Sequence, residues 1–246
     1  MDPTKLPGDI NDGTVHLWIT DLNSWRNHAE ILRNLLSAEE IKRLDRLKIK
    51  EKKEEFLRSR GILRIILSMY LTENPNDLVF NYTPAGKPIL PDTELQFNLS
   101  HSKDFLLCGI SLTNRIGIDI QEIYPISSLD RIINNFFSPL EIQYLRSLSS
   151  REEYQEHFFA IWAAKEAYLK AVGDGIQGSF KELSTIPSSP DLKSFNMDFP
   201  GTTKTDINWT IKSVKVSQGY CAALAYDGRL NDLSHYELLP EDIFTP

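Results

Sequence analysis

Trp162-Ala-Ala-Lys165-Glu166-Ala-Tyr-Leu-Lys170 is a strong helix-forming stretch, with three alanines and no interior glycine or proline. Gly173 and Gly175 follow and mark its C-terminal stop. On a helix, Trp162, Glu166 and Lys170 fall at i, i+4 and i+8, so a ring, a carboxylate and an amine share one stripe. Such a stripe reads either as a surface ion pair above an aromatic anchor or as two charges held in a cleft. The rest of the chain decides between them.

Working outward, the helix is expected over 152–172. Ahead of it, Ser138-Pro-Leu-Glu141 combines an N-cap, a first-turn proline and a capping-box glutamate, and 126–137 reads as a further helix. Three strand-like runs precede these, at 95–99, 105–112 and 115–121, with Ser100-His101-Ser102 between the first two. Earlier still come a strand at 15–20, a helical run at 25–36, a capping box at Ser37-Ala-Glu-Glu40 and a long helix over 51–71. A strand at 78–82 leads into the turn Pro84-Ala-Gly-Lys-Pro88, with Lys87 at its tip. After Gly178 the chain becomes Pro/Ser-rich, a loop through 184–190, before strands at 207–216 and 220–226. The tail, with 235–239, carries no clear helix.

The order of long helix followed by strands occurs twice, and Phe105-Leu-Leu-Cys-Gly-Ile-Ser matches Gly219-Tyr-Cys-Ala-Ala-Leu-Ala in pattern. The expected fold is α+β: two pseudo-duplicated subdomains, each a long helix on a small antiparallel sheet, with the active site in the cleft between them. The expected boundary separates an N-terminal lobe, 1–116, from a C-terminal lobe, 117–246.

With 246 residues, 41% hydrophobic and 25% charged, the composition is that of a soluble globular protein. No apolar run approaches the ~18 residues of a membrane span, and the start lacks the apolar core of a signal peptide. A cytoplasmic protein with no membrane partner is expected. Cys108 and Cys221 lie in apolar strand-like runs and read as small core residues. The net charge of −7 is uneven, because segment 42–64 carries +6. A local basic surface on an acidic protein points to one anionic partner and away from bulk nucleic-acid binding.

Arg115-Ile-Gly-Ile-Asp119-Ile-Gln121 alternates as a strand, with Ile116, Ile118 and Ile120 on one face and Gly117, Asp119 and Gln121 on the other. The isoleucines fill core, and Gly117 is expected to let a ligand approach the backbone. Oxygen ligands without a His/Cys cluster suit Mg²⁺, which binds one or two carboxylates together with phosphate oxygens and water. Phe97-Asn-Leu-Ser100-His101-Ser102 offers a hydroxyl and an imidazole at a strand end. These suit phosphate as well as they suit a hydrolytic pair, and no nucleophile-elbow glycine pattern supports the second.

These three stretches, in this order and spacing, resemble the signature motifs of the 4′-phosphopantetheinyl transferases, and the likeness runs from about Ser37 to Gly175. Pro84–Pro88, Arg60 and Phe136-Phe-Ser138 are also similar to that family, and the length suits its monomeric, two-lobed Sfp-type branch. The resemblance implies transfer of phosphopantetheine from coenzyme A to a serine of an acyl or peptidyl carrier protein, releasing 3′,5′-ADP. It also implies that Asp119 and Glu166 bind Mg²⁺ (or Mn²⁺) with the coenzyme's diphosphate, and that Lys170 contacts the reacting phosphate. Arg60, Lys87, Ser100 and His101 would hold the nucleotide phosphates. Lys165 would line the same pocket, and Arg43 matches a basic position of the family. Glu166, directly or through a metal-held water, is the candidate base.

One position departs from the family pattern: Gln121 stands where the Sfp-type members usually carry a glutamate. It keeps an amide oxygen but no charge, so the resemblance implies a working site with weaker or altered metal preference. The alternative is a homologue that binds coenzyme A or a carrier without efficient transfer. For the carrier, acidic around its serine, the 42–64 segment, the 122–137 link and Phe136, Phe137 and Leu140 are the candidate docking surfaces.

Overall fold

The computed structural model describes residues 7–71, 73–84, 86–173, 180–198 and 208–243. Gly175, the second expected stop glycine, and residue 207 lie outside them. The described chain is α+β, as expected. A first sheet has the order β11-β1-β5-β4, from β11 (Asp232–Glu237), β1 (Thr14–Asp21), β5 (Phe105–Ser111) and β4 (Gln96–Ser102). A second has the order β6-β10-β9-β8-β7, from β6 (Ile116–Glu122), β10 (Tyr220–Asp227), β9 (Trp209–Val214), β8 (Ser194–Asp198) and β7 (Ser184–Pro187). A small hairpin, β2 (Asn81–Tyr82) with β3 (Pro88–Ile89), closes on the turn containing Lys87.

Three apolar cores make this a four-layer packing. The inner faces of both sheets meet through Val15, Leu17 and Leu107 on one side and Ile116, Ile118, Ile120 and Leu224 on the other. The outer face of the first sheet packs Trp18, Leu106 and Cys108 under α3 (Lys50–Ser68), through Ile62, Leu63 and Ile66. The outer face of the second packs Ala223 and Ala225 under α6 (Arg151–Val172), through Ala163, Ala164 and Ala167. Alanines on α6 let the helix sit close. Gly117 extends that logic: a Cβ there would collide with the backbone of Ala167 and Ala171. The glycine therefore admits a helix, which corrects the expectation that it admits a ligand.

Helix termini follow local chemistry. Ser37 and Glu40 form the capping box of α2 (Ala38–Arg46), and Ser138 and Glu141 that of α5 (Pro139–Arg146). Ser150 and Glu153 cap α6, which ends at Gly173 with φ 89°. The expected helix at 25–36 is a 3₁₀ turn followed by α1 (Ala29–Asn34), and that at 126–137 is the shorter α4 (Leu129–Phe136).

Several expectations change. The Pro/Ser-rich stretch holds a strand, β7, whose Pro187 ends an edge strand, where a missing N–H costs no ladder bond. The tail forms β11 and a short helix, α7 (Pro240–Ile243). Because β11 pairs in parallel with β1, the first sheet is mixed, and the chain's end belongs to it. A single cut at 116/117 therefore does not separate the two sheets. Cys108 is buried as expected, whereas Cys221 is half-buried.

Between the sheets, β4 and β6 lie side by side without a backbone ladder. Asn98 Oδ1 accepts from the Ile118 N–H at 2.9 Å, Ser100 Oγ from Ile120 at 3.3 Å and Ser102 Oγ from Glu122 at 3.0 Å. Three alternate side chains thus take the place of strand carbonyls along the otherwise unpaired edge of β6. Ser100-His101-Ser102 is strand and not turn, because it pairs with Leu107, Leu106 and Phe105 of β5.

Candidate active site

Asp119 sits on this stitched edge. Its Oδ1 accepts from Ser100 Oγ at 3.0 Å and from Lys170 Nζ at 2.5 Å, and its Oδ2 accepts from Gln121 Nε2 at 2.6 Å. Lys170 also donates to Ser100 Oγ at 2.9 Å and to the Ile118 carbonyl at 3.2 Å. The two oxygens of this carboxylate thus accept from three donors. Glu166, one turn earlier on α6, differs. It is buried, and its Oε1 has no partner among the described residues. Burial, helped by the nearby Asp119 charge and opposed by Lys170, pushes its carboxyl up to about 7. Trp162, the third member of the stripe, packs instead among Phe136, Phe158 and Phe180.

A cavity of about 510 Å³ adjoins these groups. Its wall includes Arg43 from α2, Lys52 and Arg60 from α3, Lys87 from the hairpin turn, His101 from β4, and Glu166 and Lys170 from α6. Phe56 lies below Arg43 and Arg60, whose guanidinium carbons are 5.3 and 5.7 Å from its ring centre. Arg60 Nη1 is buried with no partner among the described residues, and burial lowers the pKa of this guanidinium. A desolvated, unpaired cation facing a cavity favours an anionic occupant. His101 Nε2 lies 3.4 Å from Glu55 Oε1, and burial lowers the imidazole's pKa.

Three residues expected at the phosphates sit differently. Lys165 does not line the cavity, which corrects that expectation. Fully buried, it donates to Glu141 Oε2 and to the Leu183 carbonyl, both at 2.7 Å, and lies over Phe137 and Phe180. Next to Glu166 in sequence, it points some 100° around the helix, into the core. Ser100 is buried and occupied by Asp119, Lys170 and Ile120. Lys87 does reach the cavity, but its Nζ donates to the Lys170 carbonyl at 2.9 Å and to the Ile116 carbonyl at 3.3 Å. Burial, with a smaller contribution from Arg115, lowers its ammonium to about 8.

Lys52, Glu55 and Phe56 belong to the wall and were not singled out from sequence. Helical spacing held a signal for two of them, because Lys52, Phe56 and Arg60 fall at i, i+4 and i+8. Of the candidate docking residues, Phe137 is core, while Phe136 and Leu140 are exposed. Among the described residues no helix is long and apolar enough to cross a membrane.

The residues can hold a divalent cation. Glu166 Oε1 is an unpartnered buried oxygen beside a second carboxylate, and hard oxygen donors of this kind suit Mg²⁺. Among the described residues no group of three or more His, Cys, Asp or Glu gathers, so any such cation has two carboxylates and the Gln121 amide to draw on.

Residues 115–225 match the family model of the 4′-phosphopantetheinyl transferase superfamily, and residues 18–111 match that of the 4′-phosphopantetheinyl transferase N-terminal region. The chain is 41% identical over 181 residues to the 4′-phosphopantetheinyl transferase HetI of Nostoc, covering 72% of this chain and 76% of that protein. It is 40% identical over 182 residues to a putative 4′-phosphopantetheinyl transferase of Synechocystis, covering 73% and 72%. To the transferase Sfp of Bacillus subtilis it is 30% identical over 144 residues, covering 58% and 62%. With both family models matched in turn along the chain and relatives at 41% and 40% identity covering more than two thirds of it, the protein belongs to the 4′-phosphopantetheinyl transferase superfamily, in its Sfp-type branch.

Proposed function

We propose that this protein transfers 4′-phosphopantetheine from coenzyme A to a serine of an acyl or peptidyl carrier protein, releasing 3′,5′-ADP. The observation that carries this reading is the pairing of a buried, unpartnered Glu166 oxygen with a basic cavity of nucleotide size. Arg43, Arg60 and His101 bind the phosphates of the nucleotide end. Lys170, held by Asp119 and Ser100, is aimed at the diphosphate. The carrier serine oxygen forms a bond to the phosphorus bearing pantetheine as that phosphorus loses its bond to the bridging oxygen. Glu166 takes the serine proton, a task suited to a carboxylate tuned near neutral pH. Lys170 stabilises the charge that develops on the departing nucleotide oxygen.

Asp119 and Glu166, with the Gln121 amide oxygen, would hold Mg²⁺, and Mn²⁺ suits the same donors. Bound there, the ion supplies charge that offsets the diphosphate during transfer. The carrier docks through the basic segment 42–64 and the exposed Phe136 and Leu140. One chain supplies every group named, which supports action as a monomer. Absence of a membrane partner and of nucleic acid, and a cytoplasmic location, remain part of the same reading.

The test is to incubate the protein with apo-carrier, coenzyme A and Mg²⁺ and weigh the carrier. Addition of one phosphopantetheinyl group is expected, abolished by Asp119→Ala. A carrier of unchanged mass across acyl and peptidyl types, with coenzyme A still bound, would favour the non-transferring alternative.

A further inference from the structure

The cavity wall is strongly basic, and its two acids call for separate explanations. Among the described residues, Arg43, Lys52, Arg60, Lys87, His101 and Lys170 face it, against Glu55 and Glu166. Glu166 belongs to the transfer chemistry. Glu55 has no part in it, and a carboxylate in a phosphate-binding cavity opposes the ligand. Its position is nevertheless specific. Glu55 Oε2 lies 2.8 Å from Lys52 Nζ, one turn away on α3, and Oε1 lies 3.4 Å from His101 Nε2 on β4. The carboxylate therefore bridges the two elements through two of the cavity's basic side chains.

We propose that Glu55 is an internal stand-in for a ligand phosphate. It occupies Lys52 and His101 in the free protein, and the phosphate end of coenzyme A displaces it. The inference rests on the coenzyme A reading above. Two features support it. A carboxylate and a phosphate present similar acceptor oxygens to an ammonium and an imidazole. Glu55 is also only partly buried, at 31% side-chain exposure, so its side chain can leave toward solvent without stranding a charge. Displacement consumes part of the ligand's binding energy, in the way any competing state lowers apparent affinity. Glu55 thus tunes affinity for the coenzyme downward and keeps Lys52 and His101 paired until a phosphate arrives.

The test is equilibrium binding of coenzyme A by calorimetry, without carrier, to wild type, Glu55→Gln and Glu55→Ala. Removing the competing charge is expected to lower Kd about two- to tenfold in both variants. Glu55→Asp, which keeps the charge, is expected to stay nearer wild type. The advantage of Glu55→Gln should also shrink as salt rises, because the pairs are partly exposed. A Kd that is unchanged or raised in both neutral variants would overturn the proposal, making Glu55 a support for its basic neighbours. If wild type itself fails to bind coenzyme A, the functional reading falls first. If wild type binds and the variants bind no tighter, only the stand-in role falls.

Discussion

Lys170 Nζ lies 2.5 Å from Asp119 Oδ1 and joins the last turns of α6 to the edge strand β6. That contact gives the two acids of the site different environments. Asp119 is surrounded by donors, while Glu166 is buried with one oxygen unpartnered. Of the two, only Glu166 keeps an oxygen free of protein partners among the described residues.

The raised Glu166 pKa sets a stability prediction. Its carboxyl keeps a proton in the folded chain up to about pH 7, against 4.5 for the free group. Between those values the folded state binds more protons than the unfolded one. The contribution is therefore full below about pH 4.5 and is lost as pH rises through about 7, a change of about 3 kcal/mol at most. Urea denaturation in chelator should show this decline in wild type and a flatter profile in Glu166→Gln. Parallel profiles would refute the assignment.

Gln121 Nε2 donates to Asp119 Oδ2 at 2.6 Å, a bond that a glutamate cannot make when ionised. Gln121→Glu would instead set a third negative charge at the cation position. Half-activating Mg²⁺ should fall by about tenfold, with the Mn²⁺ curve shifting by a different factor. Coincident curves for wild type and variant would sink the idea.

Lys87 is bonded to carbonyls of α6 and β6, and so it acts as a clasp across the hairpin and the second sheet. Lys87→Met should lower kcat by about tenfold through misplacement of Lys170, with KM for coenzyme A moving less than about threefold. Lys87→Arg should recover part of the loss. A rise confined to KM would instead make Lys87 a phosphate ligand.

Lys165 and Glu141 form a fully buried pair that joins α6, α5 and β7, since Glu141 also accepts from the Thr185 N–H at 2.7 Å. Lys165→Met should destabilise by about 3–5 kcal/mol, because it leaves Glu141 charged and short of a partner. Coenzyme A affinity of the folded fraction should stay as in wild type. Thermal unfolding and ligand titration read the two effects separately, and a Lys165→Met variant as stable as wild type would contradict the prediction.

Much of the chain was legible because it is locally determined. Capping boxes at Ser37 and Ser138, the stop at Gly173 and the alternation of β6 arise from residues within one turn or one strand. The strands β7 and β8 were not legible, since strands of four and five residues carry little apolar periodicity. Nor was the return of β11 to the first sheet, which depends on a partner more than 200 positions away in the chain.

The same division runs through the site. The sequence alone determined that Asp119 lies on a strand, that Glu166 and Lys170 share a helix stripe, and that 42–64 is basic. Tertiary structure decided which of these groups are free to act. The stitch of Asn98, Ser100 and Ser102 to β6 brings Asp119 to Lys170 and uses up Ser100. Glu141 and the Leu183 carbonyl hold Lys165 in the core, while Glu166, the next residue on α6, reaches the cavity. Hydrogen-bonding capacity is set by residue type, but whether it is already filled depends on neighbours that only the folded chain brings within reach.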